Sequence, residues 1–136
     1  AHPLMTFGGP LQDLSFYDQI HFTLDSDVSL TDLFPGMPNT SSQIDPKLKA
    51  LYHALCVLGG NIFFALTQEL KAPLKELQIP EEAFANYLHQ SIENSTHQNW
   101  SAWSGPLARK DTHTQKKNLE ALAGTELQPI YQFFQK

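Results

Sequence analysis

The sequence predicts a mainly α-helical chain that opens with a short segment of mixed strand and helix. Three observations predict it. The stretch Asp45–Leu70 (DPKLKALYHALCVLGGNIFFALTQEL) repeats Leu48, Leu51, Leu55, Leu58, Ile62 and Leu66 three or four residues apart, the spacing of one helix face. Helix-opening signals recur behind it, at Pro80-Glu81-Glu82 and at Asp111. The alternation that marks a strand comes near the start, in Gln19–Leu24 (QIHFTL).

The totals set the bounds. A chain of 136 residues suits one domain, or one domain plus part of another. Its 41% hydrophobic content is enough to fill a core. A net charge of −5, with no block of Lys and Arg beyond the pair Lys116-Lys117, argues against nucleic acid as a partner. The single cysteine, Cys56, has no intrachain partner and reads as a small buried filler. With no signal peptide visible, a cytoplasmic location is expected. The glycosylation triplets at Asn39, Asn94 and Asn99 read as chance matches in a polar chain. The chain opens on Ala and a turn-rich apolar stretch, AHPLMTFGGP, which suggests a piece of something longer.

In chain order, residues 1–18 read as irregular, with a turn at Gly8-Gly9-Pro10. The strand Gln19–Leu24 follows, then a turn at Asp25–Asp27. Val28–Phe34 reads as a short helix stopped by Pro35-Gly36, and Asn39–Ile44 as a loop or short edge strand. Asp45 caps the long helix and Pro46 suits its first position. From Ala54 to Leu66 that helix is apolar all round, with Asn61 the one strong polar side chain. Such a helix is expected to be buried. Its apolar run, about 13 residues against the roughly 20 of a membrane span, argues against crossing a bilayer.

Gly59-Gly60 in mid-helix costs about 1 kcal/mol per glycine relative to Ala. The pair therefore implies close approach, by a second helix or by a ligand. Pro73 should kink or end the helix near Ala72, with a break at Gln78-Ile79. Pro80-Glu81-Glu82 opens the next helix, whose inner face carries Phe84, Leu88, Ser91, Ile92 and Ser95. It should end within residues 94–99, and Asn99–Lys110 is the least regular stretch of the second half. A helix capped by Asp111 runs to Ala123 and stops at Gly124. Thr125 and Gln128 form a capping box for a last helix ending at Phe134.

Chemistry concentrates in a few places. His53 and Asn61 are eight residues apart on the long helix. Buried there, they either hydrogen-bond within the core or line a cleft. In the second case His53 serves as acid or base and Asn61 orients a substrate oxygen. In Ser104–Asp111 (SGPLARKD), Gly105-Pro106 fixes a turn and Arg109 could hold a carboxylate or phosphate in a bidentate fork. The plainer alternative is a connection in which Asp111 caps and Arg109 is solvated. His89, Glu93 and His97 lie at i, i+4 and i+8. Spread over two turns they read as a solvated face rather than a metal site, and no metal is expected. His2 is either a surface residue or one whose partners lie upstream.

Three segments together, AHPLMTFGG at 1–9, LYHALCVLGGN at 51–61 and SGPLARKD at 104–111, resemble a family of Rossmann-like oxidoreductases. Its C-terminal half is a helical domain of unassigned function. It is related to ketopantoate reductase, the 6-phosphogluconate dehydrogenase superfamily and the deazaflavin-dependent NADP reductases. The resemblance implies that residues 1–44 are the trailing part of a Rossmann-like domain. Residues 45–136 would be a helical domain like the C-terminal domain of 6-phosphogluconate dehydrogenase, which packs as a homodimer and closes the active-site cleft.

It further implies an NAD(P) cofactor held mainly by a preceding domain, and a small oxo or hydroxy acid as substrate. His53 and Asn61 would be catalytic, and Ser104, Gly105, Pro106, Arg109 and Asp111 would bind substrate. His2 would touch the cofactor. One departure is plain. Relatives with known chemistry carry Lys four residues before the helix Asn, where this chain has Val57. The Lys mechanism does not carry over, and His53, one turn earlier, is the nearby replacement. The other reading of the chain is a non-catalytic helical module that dimerises through Gly59-Gly60 and the apolar helix.

Overall fold

The computed structural model of the chain describes residues 1–97 and 104–135, and of His97 the backbone alone. It is mainly helical, with 59% helix against 6% strand. Two compact units form, residues 1–67 and 68–136, and each is described by itself.

The first unit is built on three short strands. β1 (His2–Pro3) pairs antiparallel with β2 (Phe22–Leu24), and β2 pairs in parallel with β3 (Ser41–Gln43). In register, His2 faces Thr23, and Thr23 faces Ser42. Two four-residue helices fill the connections: α1 (Leu14–Tyr17) before β2, and α2 (Leu30–Leu33) between β2 and β3. Ser29 starts α2 with a capping box, its hydroxyl accepting from the Asp32 amide while the Asp32 carboxylate faces the Ser29 amide. β1 and α1 fall in the stretch expected to be irregular. A two-residue strand and a single helical turn are too short for periodicity to reveal.

The core lies here. Ile20, Leu24 and Leu30 are buried, with Thr23 beside them, and Leu24 is 1% exposed. Asn39 ties the β3 side to this core, its amide nitrogen donating to the carbonyls of Tyr17 at 2.6 Å and Ile20 at 2.9 Å. Across β2 and β3, the His21 ring reaches the Thr40 hydroxyl at 2.8 Å with Nδ1 and the Ser42 hydroxyl at 3.0 Å with Nε2.

The long helix forms where the leucine spacing puts it, but in three pieces. A 3₁₀ turn (Pro46–Leu48), its Lys47 amide donating to the Asp45 carboxylate, leads into α3 (Lys49–Cys56). A π-helical turn (Val57–Ile62, VLGGNI) follows, and then α4 (Phe63–Glu76), which the boundary between the units crosses. Pro73 sits inside α4 without ending it, and Gln78 closes the segment at φ 60°.

Burial of this helix is the expectation that fails. None of its residues is buried. Its leucine stripe points outward, with Leu51, Leu55, Leu58 and Ile62 each 50–57% exposed. The half-buried face is instead Tyr52, Cys56, Val57 and Gly60. His53 and Asn61 are exposed too, so neither is a buried polar group needing a partner. The physical reason is the amount of chain. Three short strands and two single-turn helices can cover one flank of such a helix, not its full girth. By length and composition Pro46–Glu76 also passes as a membrane span, 31 residues long. A bare apolar helix meets that test whatever covers it.

In the second unit α5 (Glu81–His97) begins after Pro80 with Glu81 and Glu82 in its first turn, where carboxylates meet the positive helix end. Glu81 also pairs with Lys71 at 2.8 Å. Of the stretch expected to be least regular, residues 99–103 lie outside the described residues, as does the triplet at Asn99, and the rest includes one helical turn. α6 (Gly105–Ala108), α7 (Thr112–Ala121) and α8 (Leu127–Phe133) complete the chain. The capping box foreseen at Thr125 and Gln128 does not form. The Thr125 hydroxyl donates back to the Leu122 carbonyl, and Glu126 occupies the cap position of α8 with no side-chain bond.

Candidate functional site

One open hollow of about 580 Å³ in the first unit gathers His2, His53 and Asn61. Three elements shape it. α3 supplies His53 and Tyr52, β1 supplies His2, and the coil behind β1 brings Leu4 and Thr6 across the π-turn.

The π-turn decides the geometry. In an unbroken α-helix, residues eight apart are rotated by about 80° from one another. The i→i+5 turn advances each residue by a smaller angle, so Asn61 swings back toward the side of the helix that carries His53. Gly59 and Gly60 lie inside the turn. A Cβ on Gly60 would sit 3.9 Å from the Thr6 methyl, and one on Gly59 would meet nothing within 4 Å. The pair therefore leaves space rather than relieving a clash. What it provides within this unit is a helix wall with no side chains and a backbone free to widen.

The imidazoles and a phenol form the polar wall. The His2 ring stands edge-on to Tyr52, with centroids 5.5 Å apart, and edge-on to His53 at 6.2 Å. The Tyr52 hydroxyl lies 3.4 Å from His2 Nδ1. Burial, the largest effect, pushes the Tyr52 phenol above its ordinary value of 10.0; the Thr23 hydroxyl works against the shift and the Cys56 thiol adds to it. His2, Tyr52 and His53 also form the wall of a smaller hollow of about 180 Å³, which Asp25 and Lys49 close with an ion pair. Lys49 holds the Asp25 carboxyl below its usual range.

Tyr52 is the residue that sequence reasoning passed over. Its signal is present, one position before His53 and on the flank of the leucine stripe rather than in it. It is masked by the rule that a helix packs through its most apolar side.

The second group of expected site residues belongs to the other unit. Gly105 stands at φ 90° and Lys110 at φ 53°, so the segment is a fixed turn. Pro106 accepts at its carbonyl from the Asp111 amide and from the Gln115 side chain, both at 2.9 Å. Asp111 is spent on capping α7. Its Oδ1 accepts from the Thr114 amide at 3.0 Å and its Oδ2 from the Thr114 hydroxyl at 2.7 Å. Those bonds, with smaller help from Arg109 and His113, hold its carboxyl below the usual range. Ser104 starts α6 without a side-chain cap, and Arg109 is exposed. His89 pairs with Glu93 at 3.3 Å. Among the described residues no three His, Cys, Asp or Glu side chains are grouped as a metal site would need.

Among the described residues of the first unit, no glycine-rich turn joins a strand directly to a helix. Pyrophosphate is held where a glycine-rich turn joins a strand to a helix N-terminus. After β1 the chain runs through Gly8-Gly9-Pro10 as coil, and α1 is a single turn. After β2 the connection carries Asp25 and Asp27 into a helix of four residues, the wrong charge for phosphate.

The sequence profile of a family described as a domain of unknown function (DUF2520) matches residues 25–136, most of the chain. No curated protein and no solved structure is significantly similar to it.

Proposed function

We propose, for a chain that belongs to the DUF2520 family of domains of unknown function, that it is the substrate-side, dimer-forming part of an NAD(P)-dependent oxidoreductase acting on a small oxo or hydroxy acid. The relation to ketopantoate reductase and the 6-phosphogluconate dehydrogenase superfamily is part of this proposal. The observation that carries it is the hollow itself, where His53 and Asn61 share a glycine-lined wall with His2. The dinucleotide would be held mainly by a domain outside this chain. What these residues would do is narrower. His53 gives a proton to, or takes one from, the substrate oxygen, and Asn61 donates its side-chain amide to orient that oxygen. His2 closes the end of the hollow toward the cofactor. Arg109, in the other unit, is assigned no part in this hollow.

The test uses the encoded full-length protein. NADPH or NADH should bind saturably to it, and a panel of small oxo acids should yield turnover. His53→Ala should then lower kcat by about 10²- to 10⁴-fold, the usual contribution of a positioned acid or base. Asn61→Ala should lower it by about 10-fold, the worth of one hydrogen bond. Unchanged turnover in both variants would sink the catalytic assignment.

The exposed leucine stripe favours the second reading, a non-catalytic dimerisation module, as strongly as it favours the dimer of the first. The two part on nucleotide binding, which only the oxidoreductase predicts.

A further inference from the structure

We propose that Tyr52 is a positioning residue that fixes the tautomer and ring orientation of His2, leaving His2 Nε2 as the proton-bearing nitrogen offered to a ligand oxygen. The inference rests on the reading of the hollow as a substrate site only for its effect on turnover.

The geometry points to this in three steps. His2 lies on a two-residue strand at an exposed position, where nothing in its own element would hold an imidazole in one orientation. Tyr52 supplies the hold. Its ring meets the imidazole at 88°, and its hydroxyl faces Nδ1 rather than Nε2. The phenol has a second polar neighbour, because Thr23 is opposite His2 in the β1–β2 register and its hydroxyl acts on the same phenol.

The direction of the proton follows from the chemistry of the partners. A phenol shifted upward by burial keeps its proton at neutral pH, so Tyr52 is a donor. The Thr23 hydroxyl can donate to the phenol oxygen. Of the acceptors left, an imidazole nitrogen outcompetes the sulfur of Cys56, which accepts weakly. Nδ1 therefore accepts and the imidazole proton sits on Nε2. A histidine tautomer set by the bond that its other nitrogen makes is a general device.

The experiment reads the ring nitrogens directly. Long-range ¹H–¹⁵N spectra of the chain, recorded with the histidines neutral, should show His2 with Nδ1 as a bare acceptor and Nε2 protonated. Tyr52→Phe keeps the aromatic ring and removes only the hydroxyl. It should leave the far-ultraviolet circular dichroism unchanged and turn His2 into a mixture of tautomers. A His2 already mixed in the parent chain, or protonated on Nδ1, overturns the proposal. So does a His2 spectrum that Tyr52→Phe does not move.

In the full-length protein the same variant should lower kcat several-fold while leaving KM for the nucleotide unchanged. A tautomer shift without any measurable turnover in the parent enzyme would count against the oxidoreductase reading and leave the role of Tyr52 standing.

Discussion

At the scale of single residues, the side chains that do most in the first unit are not the apolar ones. Asn39 donates two hydrogen bonds to main-chain carbonyls that precede β2. Removing it takes the partner from the Ile20 carbonyl in a half-buried place, where an unmet group costs about 1–3 kcal/mol, while the Tyr17 carbonyl still accepts from the Ile20 amide. Asn39→Ala should lower the denaturation free energy by that amount in urea titration; a change under about 0.5 kcal/mol would mean water replaces the amide freely. The same bonds tell against use of Asn39 as a glycosylation site, since a glycan would occupy the nitrogen that makes them. The residue was legible as the start of a sequon and as part of a loop. Its anchoring role was not, because the carbonyls it reaches belong to Tyr17 and Ile20, far back in the chain.

At the scale of the element, the long helix shows how a propensity signal can be right about place and wrong about form. Leucine spacing marks the helix, and Asp45 and Pro46 mark its start. The glycine pair signals an interruption without saying which kind. The structure answers with a π-turn, which the poor helix propensity of glycine makes affordable and which realigns Asn61 with His53. Gly59 has open space where a Cβ would go. Gly59→Ala should therefore raise the stability of the isolated chain by about 0.4–1 kcal/mol through the unfolded state. If Gly59 instead serves close approach of a partner helix, the same variant weakens dimerisation. Thermal unfolding and sedimentation on one sample separate the two causes.

At the scale of the whole chain, the leucine stripe is the dominant fact. Leu51 and Leu58 stand more than half exposed, and apolar patches of this kind mark interaction surfaces. A second copy of the chain would cover them in the homodimer proposed above. Burying a leucine is worth about 1.5–3 kcal/mol, and each substitution occurs twice in a symmetric dimer. Leu58→Asp should thus raise the dimer dissociation constant about 100-fold or more, seen as a shift to monomer in light scattering. Leu51→Asp should act in the same direction. A parent chain that stays monomeric at every concentration and sediments with lipid vesicles would give the stripe to a bilayer instead.

The sequence by itself determined where the longer helices form and where the strand β2 lies. Those properties are local. Spacing of three and four, a capping Asp at 45 and at 111, and glycine or proline at the breaks act within a turn or two of chain. Tertiary structure alone decided which side of the helix faces inward. The choice went to Tyr52, Cys56 and Gly60 over the leucines, because β1 and β2 present His2 and Thr23 there, polar groups that a phenol can satisfy and a leucine cannot. It also decided that His2, from the far end of the first unit's sequence, stands against His53. Contacts of that kind depend on which segments meet, and no periodicity records it.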